Sequence, residues 1–338
     1  MSNNYWDYSL KFNKREIDLR QKFMDWLPDN IIDCHCHVNL PEFSNSISER
    51  SRNHMAFTFE NISLLQSSVL NNLLFPEKNV KKLFFPYPFL GIDYVGANKY
   101  LFDNVDSGNK LAVFGIPSNS DYVIKMINEK KFSAVKMYHA STNPISLNIY
   151  QFFTRDILEE AQSLKIPIIL HLPISISKSI SDLLLLLKDF PELIVVLAHL
   201  GLPDYDDKHL EDIYKKLSVY ENLFMDTSMV TSYLPIYFAL KYFGEERIMF
   251  GSDEPINMIR GVKYCHPKLG QRVVSEFKYH WLNDGEFNDF KHLSLNSTHF
   301  HWQSLSAIKM AIEKNKSNNN YYIRENVFCV TAKNVYKF

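Results

Sequence analysis

Aspartate, cysteine and histidine crowd into one short run, Asp33-Cys34-His35-Cys36-His37, at the end of an apolar stretch. If that stretch is a strand, successive side chains face opposite ways, so His35 and His37 share one face and Cys34 and Cys36 the other. Two imidazoles on one face can share one ion. Further along, apolar runs end in Lys136-Met137-Tyr138-His139, in His171, in His199 and in Gly251-Ser252-Asp253. Three imidazoles and a carboxylate, brought together, suit Zn²⁺ or Mn²⁺ with a position left for water. A lone histidine on an apolar strand is more often a satisfied core residue than a ligand. The order of these residues at successive run ends makes a metal site the stronger reading.

The elements that must position them are legible as an alternation. Short apolar runs at residues 30–36, 80–85, 110–116, 133–138, 167–171, 193–199, 222–226 and 247–251 read as eight strands. Between them, segments at 60–74, 94–104, 121–130, 147–165, 178–190, 208–219 and 232–243 carry apolar residues at helical spacing. Strands apolar on both faces, each followed by a helix, predict a parallel sheet covered by helices, and eight such units predict a closed (β/α)8 TIM barrel. The carboxyl ends of all its strands meet at one mouth, which would bring His171, His199 and Asp253 beside His35 and His37. An open doubly wound sheet is the alternative, but the first strand–helix turn lacks a glycine-rich phosphate fingerprint. Residues 1–338 read as one domain, with an N-terminal helical extension over 1–28 and a long insertion after strand eight, 256–302. The extension holds Trp6, Phe12, Phe23 and Trp26, bulk that needs cover from the barrel or from a second copy in a homodimer.

Composition removes several classes. The 338 residues include 37 Lys and Arg against 38 Asp and Glu, a formal net charge of −1 that argues against nucleic acid as the partner. The four cysteines do not make a disulfide scaffold, so a reducing compartment is expected. No secretory or membrane segment stands out, and the Leu183 to Leu187 run is far short of the ~18 residues of a bilayer span. A cytoplasmic enzyme with a small-molecule substrate is the expectation.

Taken as a set, Asp33-x-His35-x-His37, the run from Val195 to His199-Leu200-Gly201, Asp226-Thr227-Ser228 and Met249-Phe250-Gly251-Ser252-Asp253-Glu254-Pro255 resemble the amidohydrolase superfamily. The likeness is to its amidohydrolase-related branch of metal-dependent hydrolases and non-oxidative decarboxylases, and covers about two-thirds of the chain. It implies one divalent ion, Zn²⁺ ahead of Mn²⁺, held by His35, His37, His171 and Asp253. It also implies that Asp253 shuttles the proton and that His199 orients water or the substrate carbonyl. Lys136 sits where some superfamily members carry a carbamylated lysine bridging two metals; as a plain ammonium it would bind a substrate carboxylate or make a structural ion pair. At the C-terminus, Val330-Thr331 stands where the family's closing helix usually opens with Gly-Asn.

The insertion is far longer than the 2–6 residues of an ordinary βα loop and would emerge at the active-site mouth as a lid or specificity loop. It holds five of the twelve histidines. Arg260, Lys263, His266 and Arg272 are its candidates for binding an anionic substrate, with Lys136 and His139 from the barrel. His299-Phe300-His301 repeats the His-x-His spacing without strand character, and Cys265 reads as an ordinary thiol. The function these residues imply is hydrolysis of an amide, lactone or related carbonyl bond by a metal-activated water. A metal-dependent decarboxylase or hydratase of a small carboxylic acid, or an inactive barrel kept for binding, are the alternatives.

Overall fold

The structure is a computed structural model that describes residues 10–47, 62–142, 144–204, 207–266, 268, 270–278, 282–315 and 319–338. Eight strands, β1 (Asn30–Val38), β2 (Asn79–Pro86), β3 (Lys110–Phe114), β4 (Ala134–Met137), β5 (Ile168–Leu170), β6 (Val195–Leu197), β7 (Leu223–Asp226) and β8 (Ile248–Met249), pair in parallel in chain order. The segment after β8 returns to the first strand. Cys34 donates its N–H to Phe250 O (3.0 Å), Asp253 to His35 O (2.9 Å) and His37 to Glu254 O (2.8 Å), which closes the sheet into the expected (β/α)8 barrel.

Helix α1 (Lys14–Met24) precedes β1; α2 (Leu64–Leu74), α3 (Tyr94–Asn104) and α4 (Ser120–Asn128) follow the first three strands. Next come α5 (Ile149–Phe152), α6 (Arg155–Ser163), α7 (Ile176–Asp189), α8 (Leu210–Leu217) and α9 (Tyr233–Phe243). The single helix expected at 147–165 is two, because Phe153 turns extended and Thr154 starts α6 afresh. Beyond the barrel strands lie an antiparallel hairpin, β9 (Gly261–His266) and β10 (Gly270–Ser275), then α10 (Asp284–Phe290), α11 (Phe300–Lys314), α12 (Asn320–Glu325), a π-helical turn at Asn326–Val330 and α13 (Thr331–Tyr336). Among the described residues no helix is long and apolar enough to cross a membrane. His280 and Trp6 fall outside the described residues.

Most of the buried apolar residues lie between the barrel and its helices. A second cluster fills the barrel's inside with Ile32, Cys34, Phe85, Ala134, Val196 and Met249, against which α13 packs Ala332, Val335 and Tyr336. Strict alternation along β1 had put Cys34 and Cys36 on one face. Instead the register of β1 against β2 slips between Asp33 and Cys36. This extra residue leaves Cys34 in the inner cluster while Cys36 packs in the outer one.

Candidate active site

The slip on β1 turns His35 and His37 toward a pocket of about 410 Å³ at the carboxyl ends of the strands. His171, His199, Asp253 and Lys136 line the same pocket, as do Tyr87, Phe89 and Tyr138. Each imidazole has its Nδ1 against an oxygen. His35 Nδ1 lies 2.9 Å from Asp226 Oδ2, His37 Nδ1 3.4 Å from Pro86 O, His171 Nδ1 2.8 Å from Leu172 O and His199 Nδ1 2.9 Å from Ser228 O. Carbonyl and carboxylate oxygens only accept, so the ring proton sits on Nδ1 in each case. Every Nε2 is then a lone pair.

Those lone pairs gather around an anion. Asp253 Oδ1 lies 3.1 Å from His37 Nε2 and 3.4 Å from His35 Nε2, and one ligand atom each of His35, His199 and Asp253 fall within 4.8 Å of one another. Neutral acceptors and a carboxylate approach this closely only around a proton or a cation. Nitrogen and oxygen donors whose outer atoms are hydrogen-bonded to carboxylate and carbonyl groups fit a divalent ion such as Zn²⁺ or Mn²⁺. His171 reaches the group through His199, with ring centroids 5.0 Å apart.

Charge and burial act together here. Burial, with the Lys136 charge beside it, pushes His35 down to about 4 despite Asp226, which keeps its imidazole neutral and able to ligate. Burial and the neighbouring His199 hold His171 well below its ordinary value. For Asp253 burial acts upward, but the His37 contact and the fields of the surrounding imidazoles reverse it and hold the carboxyl well below the usual range. Lys136 Nζ is buried and, among the described residues, has no hydrogen-bond partner; burial draws it down to about 8. The Phe85 ring lies 5.1 Å from the ammonium, and Asp226 and Asp253 act on it through their charge.

The backbone here adopts conformations that cost energy. His199 (φ 55°), Met229 (φ 55°) and Asp253 (φ 64°) are all left-handed. His199 N–H is fixed by Asp226 Oδ1 at 2.9 Å, and Ser228 Oγ donates to that same carboxylate while its lone pair faces His199 Nδ1. Gly251 is required for close approach, since a Cβ there would lie 2.9 Å from His35 Cβ.

Behind Asp253 lies a buried ionic cluster that the sequence did not betray. Glu254 pairs with Lys82 Nζ at 2.6 Å and accepts from Ser67 Oγ, and Lys82 also donates to that Oγ at 3.0 Å. Asp33 Oδ1 accepts the Ser252 N–H at 2.8 Å. Together they pin the 252–254 turn that aims Asp253 into the pocket. Breaking a buried pair from one side costs about 3 to 5 kcal/mol. Lys82→Met should therefore lower urea-denaturation stability by about that amount, and Glu254→Gln added to it should recover much of the loss.

The structure does not bring all the expected residues to the pocket. Lys263 does line it, donating to Met229 O at 3.1 Å, as does Gln271, which sequence reasoning missed. Arg260 is buried away from it: its guanidinium forks onto Glu16 of α1 at 2.9 and 2.8 Å. Arg272 forks onto Glu286 of α10 at 2.7 and 2.9 Å on the hairpin's far face. His266 packs against Phe290 at that face, with ring centroids 5.4 Å apart. His139 lies tilted against Tyr138 and His171, with ring centroids 4.5 and 5.5 Å away, behind the pocket lining. His299 and His301 are buried, the first against Glu16 and the second against Asn257. Asp226 and Ser228 belong to a quoted motif, yet only the fold reveals that they hold His35 and His199.

A family model, the amidohydrolase model, matches residues 32–273. The chain belongs to the amidohydrolase family. That family is metal-dependent, and its members and structural neighbours are enzymes. No curated protein matches significantly by sequence. Among solved structures, 5-carboxyvanillate decarboxylase from Sphingomonas paucimobilis superposes with a TM-score of 0.58 at 11% identity, covering 92% of this chain and 100% of its own. A 2-pyrone-4,6-dicarboxylic acid hydrolase from Pseudomonas putida gives 0.53 at 17% identity, covering 92% and 98%. The 5-carboxyvanillate decarboxylase of Novosphingobium aromaticivorans, solved with bound manganese, gives 0.56 at 12% identity, covering 91% and 97%. At such identities the likeness is one of fold.

Proposed function

We propose that this amidohydrolase hydrolyses an amide, lactone or related carbonyl bond in a small anionic substrate. The observation that carries the reading is the pairing of an acceptor-only cluster around Asp253 with a buried Lys136 ammonium that has no hydrogen-bond partner among the described residues, in the same pocket. His35, His37, His171 and Asp253 would hold the metal, Zn²⁺ or Mn²⁺, and His199, with a ring nitrogen within 4.8 Å of a ligand atom of His35 and of Asp253, is close enough to share it. A divalent ion there supplies Lewis-acid polarisation and eases deprotonation of water near neutral pH.

The chain's own groups do the rest. Lys136 takes a substrate carboxylate, which gives its buried ammonium the hydrogen-bond acceptor that no described residue supplies. Tyr87, Phe89 and Tyr138 wall off water and favour a flat substrate. Asp253 accepts a proton from water as the water oxygen bonds to the carbonyl carbon. It then returns that proton to the leaving nitrogen or oxygen as the scissile bond breaks. His199 keeps its Nδ1 proton on Ser228, so its Nε2 is a lone pair that accepts from the attacking water and holds it in place.

The aromatic walls also favour a second reading, decarboxylation of an aromatic acid, in which the same Asp253 manages the proton that replaces CO₂. Zn²⁺- and Mn²⁺-loaded protein should be assayed against carboxylated lactones and amides and against hydroxybenzoic acids, with released acid and CO₂ followed separately. Acid release without CO₂ is the expected result. CO₂ release would install the second reading, and no turnover of either class would leave a binding protein.

A further inference from the structure

Glu16 lies outside the barrel, on α1, yet it is completely buried and its carboxylate is the hub of the insertion's root. Oε1 accepts from Arg260 Nε at 2.9 Å and from the His299 N–H at 2.9 Å, and His299 Nδ1 is also 2.9 Å away. Oε2 accepts from Arg260 Nη2 at 2.8 Å and from the Asn13 N–H at 2.9 Å. Arg260 and His299 also form a backbone bridge with each other, at the two ends of the insertion. Strand β9 starts at the next residue, Gly261, where a Cβ would meet Val274 O at 2.7 Å and Phe300 Cζ at 2.9 Å. The root of the hairpin thus has one fit, and Glu16 closes it.

What the root controls is at the mouth. Lys263, three residues beyond Arg260, and Gln271 on the opposite strand both line the main pocket. Lys263 also donates to Met229 O in the left-handed turn after β7, next to Ser228, which holds His199. We propose that Glu16 is a positioning residue: through Arg260 and His299 it sets the β9–β10 hairpin so that Lys263 and Gln271 complete the substrate pocket. The N-terminal helix is then part of the specificity apparatus rather than a cover for the barrel.

The test needs no knowledge of the substrate. Hydrogen exchange in Glu16→Gln full-length protein is compared with wild type. Amides of 261–275 should exchange at least tenfold faster while those of β3 to β7 are unchanged. Exchange that quickens in α1 alone, with the hairpin as protected as before, would show that Glu16 merely caps its helix. Should Glu16→Gln fail to fold, Arg260→Lys, which keeps the charge and gives up the fork, is read in the same way. A second arm rests on the anionic-substrate reading and uses isophthalate with metal-loaded protein. Glu16→Gln should raise its Kd about tenfold, and should change it no further in a Lys263→Met background. If Lys263→Met alone leaves isophthalate binding untouched, the anion reading of the mouth fails while the exchange result still decides the positioning. Equal, additive losses in both backgrounds would overturn the route through Lys263.

Discussion

His35→Ala/His37→Ala protein, purified without added metal or chelator, should contain no divalent metal where wild type contains about one equivalent. Its activity toward any substrate found should fall by at least about 10³, since several kcal/mol of charge stabilisation go with the ion. The argument rests on where the protons are. With Nδ1 protons given to Asp226 and Pro86 O, both rings offer only lone pairs to Asp253, and the ammonium groups among the described residues lining the pocket are those of Lys136 and Lys263, neither of which is hydrogen-bonded to that carboxylate. Added Zn²⁺ at one hundred times its dissociation constant should stabilise wild type by about 2.7 kcal/mol and the double variant not at all. Thermal unfolding with and without metal reads this directly. Two equivalents in wild type would promote a carbamylated Lys136 bridging a binuclear site. None, even after reconstitution, would sink the metal mechanism.

Much of this site could be read from the sequence because strand ends in a barrel converge. Eight apolar runs in order determine which residues share the mouth, so Asp33-x-His35-x-His37, His171, His199 and Asp253 could be placed together although they are far apart along the chain. Other features were set by partners that local sequence cannot name. Alternation assigned Cys34 to the wrong face because a one-residue slip in β1 has no signature in residue type. Arg260 and Arg272 looked like anion binders because their acidic partners are Glu16, across 244 residues, and Glu286, on a helix of its own. The insertion reads in sequence only as a lid or specificity loop, yet Gly261 and Gly270 sit at the start of the two strands of a hairpin that carries Lys263 and Gln271 to the pocket. In each case a tertiary contact, not a propensity, decided the outcome.

Lys136→Met should make the protein more stable and less able to bind its ligand. The wild-type ammonium is buried with no described hydrogen-bond partner, and burial lowers its pKa from 10.5 to about 8. A folded-state pKa below the unfolded one means that between pH 8 and 10.5 the unfolded chain binds more protons. Wild-type stability therefore rises with pH across that window, and below pH 8 the full cost of the buried charge is present. At 1.36 kcal/mol per pH unit that cost is on the order of 3 kcal/mol, and methionine, of similar length and without charge, removes it. Urea denaturation at pH 7 should show the variant more stable by roughly this amount, and that advantage over wild type should shrink as pH rises from 8 to 10.5. Benzoate should stabilise metal-loaded wild type, because its carboxylate supplies the ammonium with a hydrogen-bond acceptor, and should lose at least about tenfold in affinity for the variant. A site that tolerates such a charge has a use for it: an ammonium kept at the floor of an aromatic pocket, in the fields of Asp226 and Asp253 but hydrogen-bonded to no described group, marks where the substrate's own charge must go. A variant that is destabilised and binds benzoate normally would instead make Lys136 a structural group. One that loses half its metal would make it a ligand through a carbamate.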